Sequence, residues 1–152
     1  MISARSPLPP WGKWSLFWTL FIGVGAVAGA GMMWFIPDIT GMTGLLPPMQ
    51  VLPFADVFFT SFVWPGIFLF VVNGVTQLTA ATLIVRRHRR ARLATLCCGI
   101  ILMAWITIQF VIFETNPISI AYFIFGICEA TMAILWLTRS RTNPPTLIHQ
   151  GG

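Results

Sequence analysis

Charge is scarce in this chain. Of 152 residues, nine are Lys or Arg and four are Asp or Glu, a charged share of 9%, where soluble domains carry about 25%. So few charges cannot furnish a water-facing surface, and a hydrophobic content of 57% leaves a bilayer as the expected solvent. Cysteine is also rare. Cys97, Cys98 and Cys128 all lie inside apolar runs, so no exported disulfide framework is expected, and an adjacent pair is not the Cys-x-x-Cys arrangement of redox chemistry. The expectation for all three is an inert, buried, small apolar residue. The two histidines, His88 and His149, have no metal-ligand spacing to another His, Cys or acid, which implies no metal site. A glycine-rich phosphate loop, a nucleophile elbow and a metalloprotease helix are missing too. No catalytic set and no cofactor is implied.

What the chain does have is long uncharged runs. At about 20 residues per span, 152 residues fit four spans as one membrane domain. The runs are residues 14–36, 65–85, 93–113 and 118–138. The predicted fold is therefore all-α, an integral membrane bundle of four antiparallel transmembrane helices. A basic start, an apolar run and Ala26-Val27-Ala28 are also features of a signal peptide, whose apolar region is only about 7–15 residues long. The first run here extends well past the small residues, so an uncleaved helix is expected. Within it, Gly25 and Gly29 have the small-xxx-small spacing that allows close helix approach, against the chain's own spans or a second copy.

Between the first two runs, residues 37–64 carry Gly41, Gly44, Pro47, Pro48 and Pro53, which break regular structure. Phe54, Phe58, Phe59 and Phe62 follow at near-helical spacing, predicting a structured outer loop with a short interfacial helix or a descending elbow over residues 54–63. Proline suits the first position of a helix, so Trp64-Pro65 reads as the start of the second span. A start near Asp56 with a kink at Pro65 is the alternative.

The nine basic residues segregate. Arg5 and Lys13 precede the first run, Arg86, Arg87, Arg89, Arg90 and Arg92 follow the second, and Arg139 and Arg141 follow the fourth. In an up-down bundle all fall at one end, while Asp38, Asp56 and Glu114 fall at the other. The positive-inside rule then predicts cytoplasmic N- and C-termini, with the arm 1–13, the basic loop 86–92 and the tail 139–152 inside a bacterial plasma membrane. The five arginines of the loop are candidate contacts for anionic lipid headgroups, at roughly 1 kcal/mol per residue near the surface. The net charge of +5 thus points to lipid and not to nucleic acid.

Asp38, Gly41, Gly44, Pro53-Phe54, Pro65-Gly66-Ile67-Phe68-Leu69, Asn73-Gly74, Gly99, Trp105, Gln109, Tyr122-Phe123 and Gly126 form a set that resembles an uncharacterised group of small bacterial four-span integral membrane proteins. The resemblance covers roughly residues 22–137. It implies the same topology and carries no activity.

Chemistry is most concentrated at Glu129. It lies ten residues from Arg139, or about 15 Å from the basic end at 1.5 Å per residue, near the middle of a core about 30 Å thick. An ionised carboxylate there costs about 3 kcal/mol on insertion scales, so the side chain should face protein or water. Asn73 and Gln77 lie 13 and nine residues from Arg86, about 20 and 14 Å by the same rise, and share a helix face. Trp105 falls at a similar depth and Tyr122 two turns further out, completing a candidate midplane pocket of Glu129, Asn73, Gln77, Trp105 and Tyr122. Three readings remain open: hydrogen bonding across helices, a ligand or ion site, or contact with a membrane protein partner. Gln109, about 25 Å from the basic end, is grouped with Asp38, Asp56 and Glu114 as a candidate outer mouth, against the plainer reading of solvated loop residues.

Three functional classes follow. The first is a non-enzymatic accessory or interaction subunit acting through helix-helix contacts. The second is a small carrier or channel, a homo-oligomer, using Glu129 as a midplane carboxylate. The third is a lipid- or quinone-linked membrane enzyme with Glu129, Trp105 and Tyr122 around its substrate.

Overall fold

The first helix begins earlier than the loss of charge predicts, because Pro10 at its first position needs no N–H partner and already has a helical φ. In the structure, a computed structural model describing residues 7–40, 42–112 and 117–142, α1 runs from Pro10 to Phe35. Helix α2 spans Val63–Val85, α3 Ala91–Ile112 and α4 Pro117–Thr142. All four are long and apolar enough to cross a membrane. The architecture is the expected all-α four-helix membrane bundle.

Pro65 lies at the third position of α2, and the helix starts two residues before it. The aromatic segment gives one turn, Ala55–Phe58, within the stretch expected to form a short interfacial helix or an elbow; Phe59 and the residues to Phe62 break it before α2 begins. The break also rules out a single helix from Asp56. Phe54, at φ 63° in the left-handed region, opens that turn. Phe58 then packs on Trp64 and Phe68 of α2, and buried Met49, Ala55 and Phe62 pin the loop. Trp34, near the end of α1, donates its indole N–H to the Val63 carbonyl at 3.1 Å. A Cβ on Gly66 would overlap that indole, so this glycine is the seat of the Trp34 ring.

At the other end, α2 stops where Arg87 adopts φ 55°. His88 N–H reaches back to the Leu83 carbonyl and Arg87 N–H to that of Ile84, a Schellman closure with arginine in glycine's usual position. Arg86, Arg87, Arg89 and Arg90 are exposed there, while Arg92 lies over the Trp136 ring. Arg139 sits 4.7 Å above the Trp11 ring, which joins α4 to α1.

Packing runs around a square. Helix α1 lies along α2, α2 along α3, α3 along α4, and α4 returns to α1; α2 and α4 occupy opposite corners. The closest approach is α3 on α4, where Gly99 and Gly126 remove the side chains between the backbones. Only 28–33% of each span is buried inside the bundle. The rest, including Phe17, Val24, Val71, Ile100, Ile108 and Ile124, forms an apolar outer surface far larger than a soluble monomer exposes.

Threonine is common on these helices, and each described hydroxyl bonds to its own chain. Thr19, Thr76, Thr79, Thr82, Thr95, Thr107, Thr131 and Thr138 each donate to the carbonyl four residues earlier. Self-satisfied hydroxyls can face hydrocarbon. A polar group left without a partner stands out against that background.

Candidate functional site

Apart from Ser15 Oγ near the start of α1, the buried side-chain atoms without partners among the described residues gather around α2. Residues Phe70–Val75 within it form a π-helical segment, a geometry that inserts an extra residue into an α-helix and often marks functional sites. Asn73 lies in that segment, 2% exposed, with neither amide atom hydrogen-bonded. Gln77, four residues on and 1% exposed, donates Nε2 to Glu129 Oε2 at 2.8 Å. Glu129 itself is 0% exposed. This bond crosses the diagonal of the square and joins two helices that otherwise barely touch. Gln77 Oε1, Glu129 Oε1 and Trp105 Nε1 are buried without partners.

A cavity of about 460 Å³ opens beside this cluster. All four helices line it: Ile22, Gly25, Ala26, Ala28, Gly29 and Met32 from α1; Leu69 and Asn73 from α2; Leu102, Trp105, Ile106 and Gln109 from α3; Ile118, Ser119 and Tyr122 from α4. It extends from Asn73 at mid-depth toward the loop end, where Ile118 belongs to the first turn of α4. The walls are largely apolar, with Asn73, Trp105, Gln109, Ser119 and Tyr122 as the polar lining.

No family model, curated protein or solved structure matches this chain. The geometry of the site is therefore the ground for any functional reading.

The five residues grouped at mid-depth fall into two parts. Asn73, Trp105 and Tyr122 line the cavity, whereas Gln77 and Glu129 lie one helical turn closer to the basic end, outside its lining. Gln109 leaves the group in which its depth placed it: it faces the cavity with Trp105. Asp38 and Asp56 are exposed on the loop and do not line the cavity, and Glu114 lies outside the described residues.

Gly25 and Gly29 also act differently from their spacing. A Cβ at Gly25 would meet the Tyr122 hydroxyl at 3.1 Å, and one at Gly29 the Leu69 side chain at 3.2 Å. Their missing side chains open the cavity wall, and the close backbone approach occurs at Gly99 and Gly126 instead. Of the cysteines, Cys98 is buried while Cys97 is exposed, because neighbours on a helix point about 100° apart.

Ser119 had no place in the sequence reading, and only its position two residues after Pro117 at a helix start was visible there. Sequence reasoning grouped Asn73, Trp105 and Tyr122 in a pocket but missed its extent and its α1 wall, since an enclosed space follows from how four helices meet and not from any one of them.

Proposed function

We propose that this protein holds a small amphipathic molecule between its four membrane helices, with the polar part of that molecule against Asn73 and Trp105. The observation that carries the reading is Asn73: a side chain 2% exposed, lining a cavity, with both amide atoms unpartnered. Leaving a buried polar group unsatisfied costs about 1–3 kcal/mol, so the amide is at a disadvantage until a partner fills the cavity. An amide offers one acceptor and two donors, and the Trp105 indole adds a donor. The complementary ligand carries an acceptor flanked by a donor on an otherwise apolar body. A pocket of this size and apolar character suits such a molecule.

The reading combines a binding role with the subunit role expected from the sequence. It is favoured over the enzyme reading by the position of Glu129, which is not among the residues that line the cavity with Trp105 and Tyr122. The test is what leaves the purified protein with organic solvent, followed by mass spectrometry. Wild-type protein should release a near-stoichiometric amphiphile, and Asn73→Leu about half as much or less, since a tenfold loss of affinity, about 1.4 kcal/mol, takes a site that is roughly 90% filled to about half filled. Thermal stability of Asn73→Leu should hold or rise, since the substitution removes an unsatisfied amide. Equal recovery from both proteins would sink the proposal.

Orientation belongs to the same proposal. The segregated basic residues favour cytoplasmic termini in a bacterial plasma membrane, and the aromatic contacts of Arg92 and Arg139 fit a headgroup layer at that end. A periplasmically active reporter fused after residue 152 should be silent, and a cytoplasmically active one functional. The reverse pattern would invert the topology.

A further inference from the structure

The Gln77–Glu129 pair, apart from the ligand cavity, has a hydrogen-bond account that does not close as drawn. Gln77 Nε2 donates to Glu129 Oε2 at 2.8 Å, which satisfies one carboxyl oxygen. The remaining two oxygens, Glu129 Oε1 and Gln77 Oε1, are both buried acceptors without a donor. Glu129 as a carboxylate is acceptor-only, so neither can satisfy the other. A carboxylic acid supplies one donor. A hydrogen on Glu129 Oε1 directed at Gln77 Oε1 would satisfy both atoms at once and would close a cyclic acid–amide pair with the Nε2–Oε2 bond already present.

We propose that Glu129 and Gln77 form a proton-binding site at mid-membrane, in which the carboxyl is held as the neutral acid and its hydrogen is shared with the Gln77 carbonyl oxygen. The surroundings supply no competing charge. Helices α1 and α2 bring no charged residue to this depth, and on α4 the nearest is Arg139, ten residues on. Cys98 of α3 is the titratable side chain near the carboxyl, and Cys128 precedes it on α4. Among the described residues no cation stands where it could balance a carboxylate, whereas a neutral acid needs no counter-charge in a bilayer. The partner amide comes from the opposite corner of the bundle, so loss of the proton also removes one edge of the link between α2 and α4. The site rests on the two side chains alone and stands whether or not the cavity takes a ligand.

Infrared spectroscopy reads the protonation state directly. The chain has only two glutamates, Glu114 and Glu129, so the Glu114→Gln protein grown with carboxyl-labelled ¹³C-glutamate carries the label at a single glutamate. At neutral pH it should show a protonated carboxyl C=O band that moves on labelling, and wild-type protein the same band. Glu129→Gln should lose it. Gln77→Leu should keep the band but shift it to higher frequency, as the bond to the amide is lost. A spectrum of Glu114→Gln in which labelling moves only carboxylate bands would overturn the proposal, and this measurement needs neither of the buried-site variants to fold.

Discussion

Gly99→Ala should loosen the bundle by about 1–3 kcal/mol, even though alanine is the better helix former by about 1 kcal/mol. A Cβ at Gly99 would stand 2.8 Å from the Ala130 backbone nitrogen and 3.0 Å from the Gly126 carbonyl oxygen. Both are main-chain atoms of α4, so the strain cannot be relieved by turning a side chain; the helices must separate. In a bilayer, tight packing and hydrogen bonds take over from the hydrophobic effect in holding helices together. Separating the closest pair therefore removes a large part of what holds α3 to α4. Gly99→Val should lose more. Gly31, whose added Cβ would meet nothing within 4 Å, is the control, and Gly31→Ala should be neutral or slightly stabilising. Unfolding in a mixed-micelle denaturant titration checks all three variants. A Gly99→Ala protein at or above wild-type stability would mean that the close approach does not hold α3 on α4.

Gln77→Leu is expected to cost about 1–3 kcal/mol with Glu129 as a neutral acid, and about 3–5 kcal/mol if the carboxyl is ionised. The substitution leaves both Glu129 oxygens buried without a donor. The double variant Gln77→Leu/Glu129→Leu should recover most of the loss, because replacing both members of a buried polar pair by apolar residues of similar size is often neutral or stabilising. The same titration, run on both single variants and the double, gives the coupling between the positions. Additive losses would show that the 2.8 Å bond contributes no coupling between α2 and α4. Recovery in the double variant would identify the pair as a specificity or proton-binding device that packing alone does not require.

The sequence was most readable where a residue type is excluded from hydrocarbon outright. Arg86, Arg92 and Arg139 bound the apolar runs because guanidinium groups cannot stay inside the core, and the ends of α2, α3 and α4 fall close to them. Counting at 1.5 Å per residue then put Gln77 and Glu129 at one depth, and they are hydrogen-bonded. Depth is only one of three coordinates. The same arithmetic grouped Gln109 with Asp38 and Asp56, because it says nothing of which way a side chain points; Gln109 faces inward and the aspartates face out. Glycine spacing was ambiguous in a similar way. Gly25-xxx-Gly29 fits the helix-dimer pattern yet opens a cavity wall, while Gly99 and Gly126, on different helices, make the close contact. A pattern within one helix cannot reveal what the neighbouring helix places opposite it. Proline was legible only to within a few residues: Pro10 starts its helix, whereas Pro65 lies two residues inside its own.

The π-helical segment Phe70–Val75 also sets an angular phase. One residue added to an α-helix advances everything after it by about 100° around the axis. Relative to the residues before Phe70, Thr76–Val85 therefore meet the bundle at a different angle from the one an uninterrupted α-helix would give them. The extra residue thus works as a spacer in rotation, not in length. It re-aims the half of α2 that carries the Gln77 amide relative to the half that precedes Phe70.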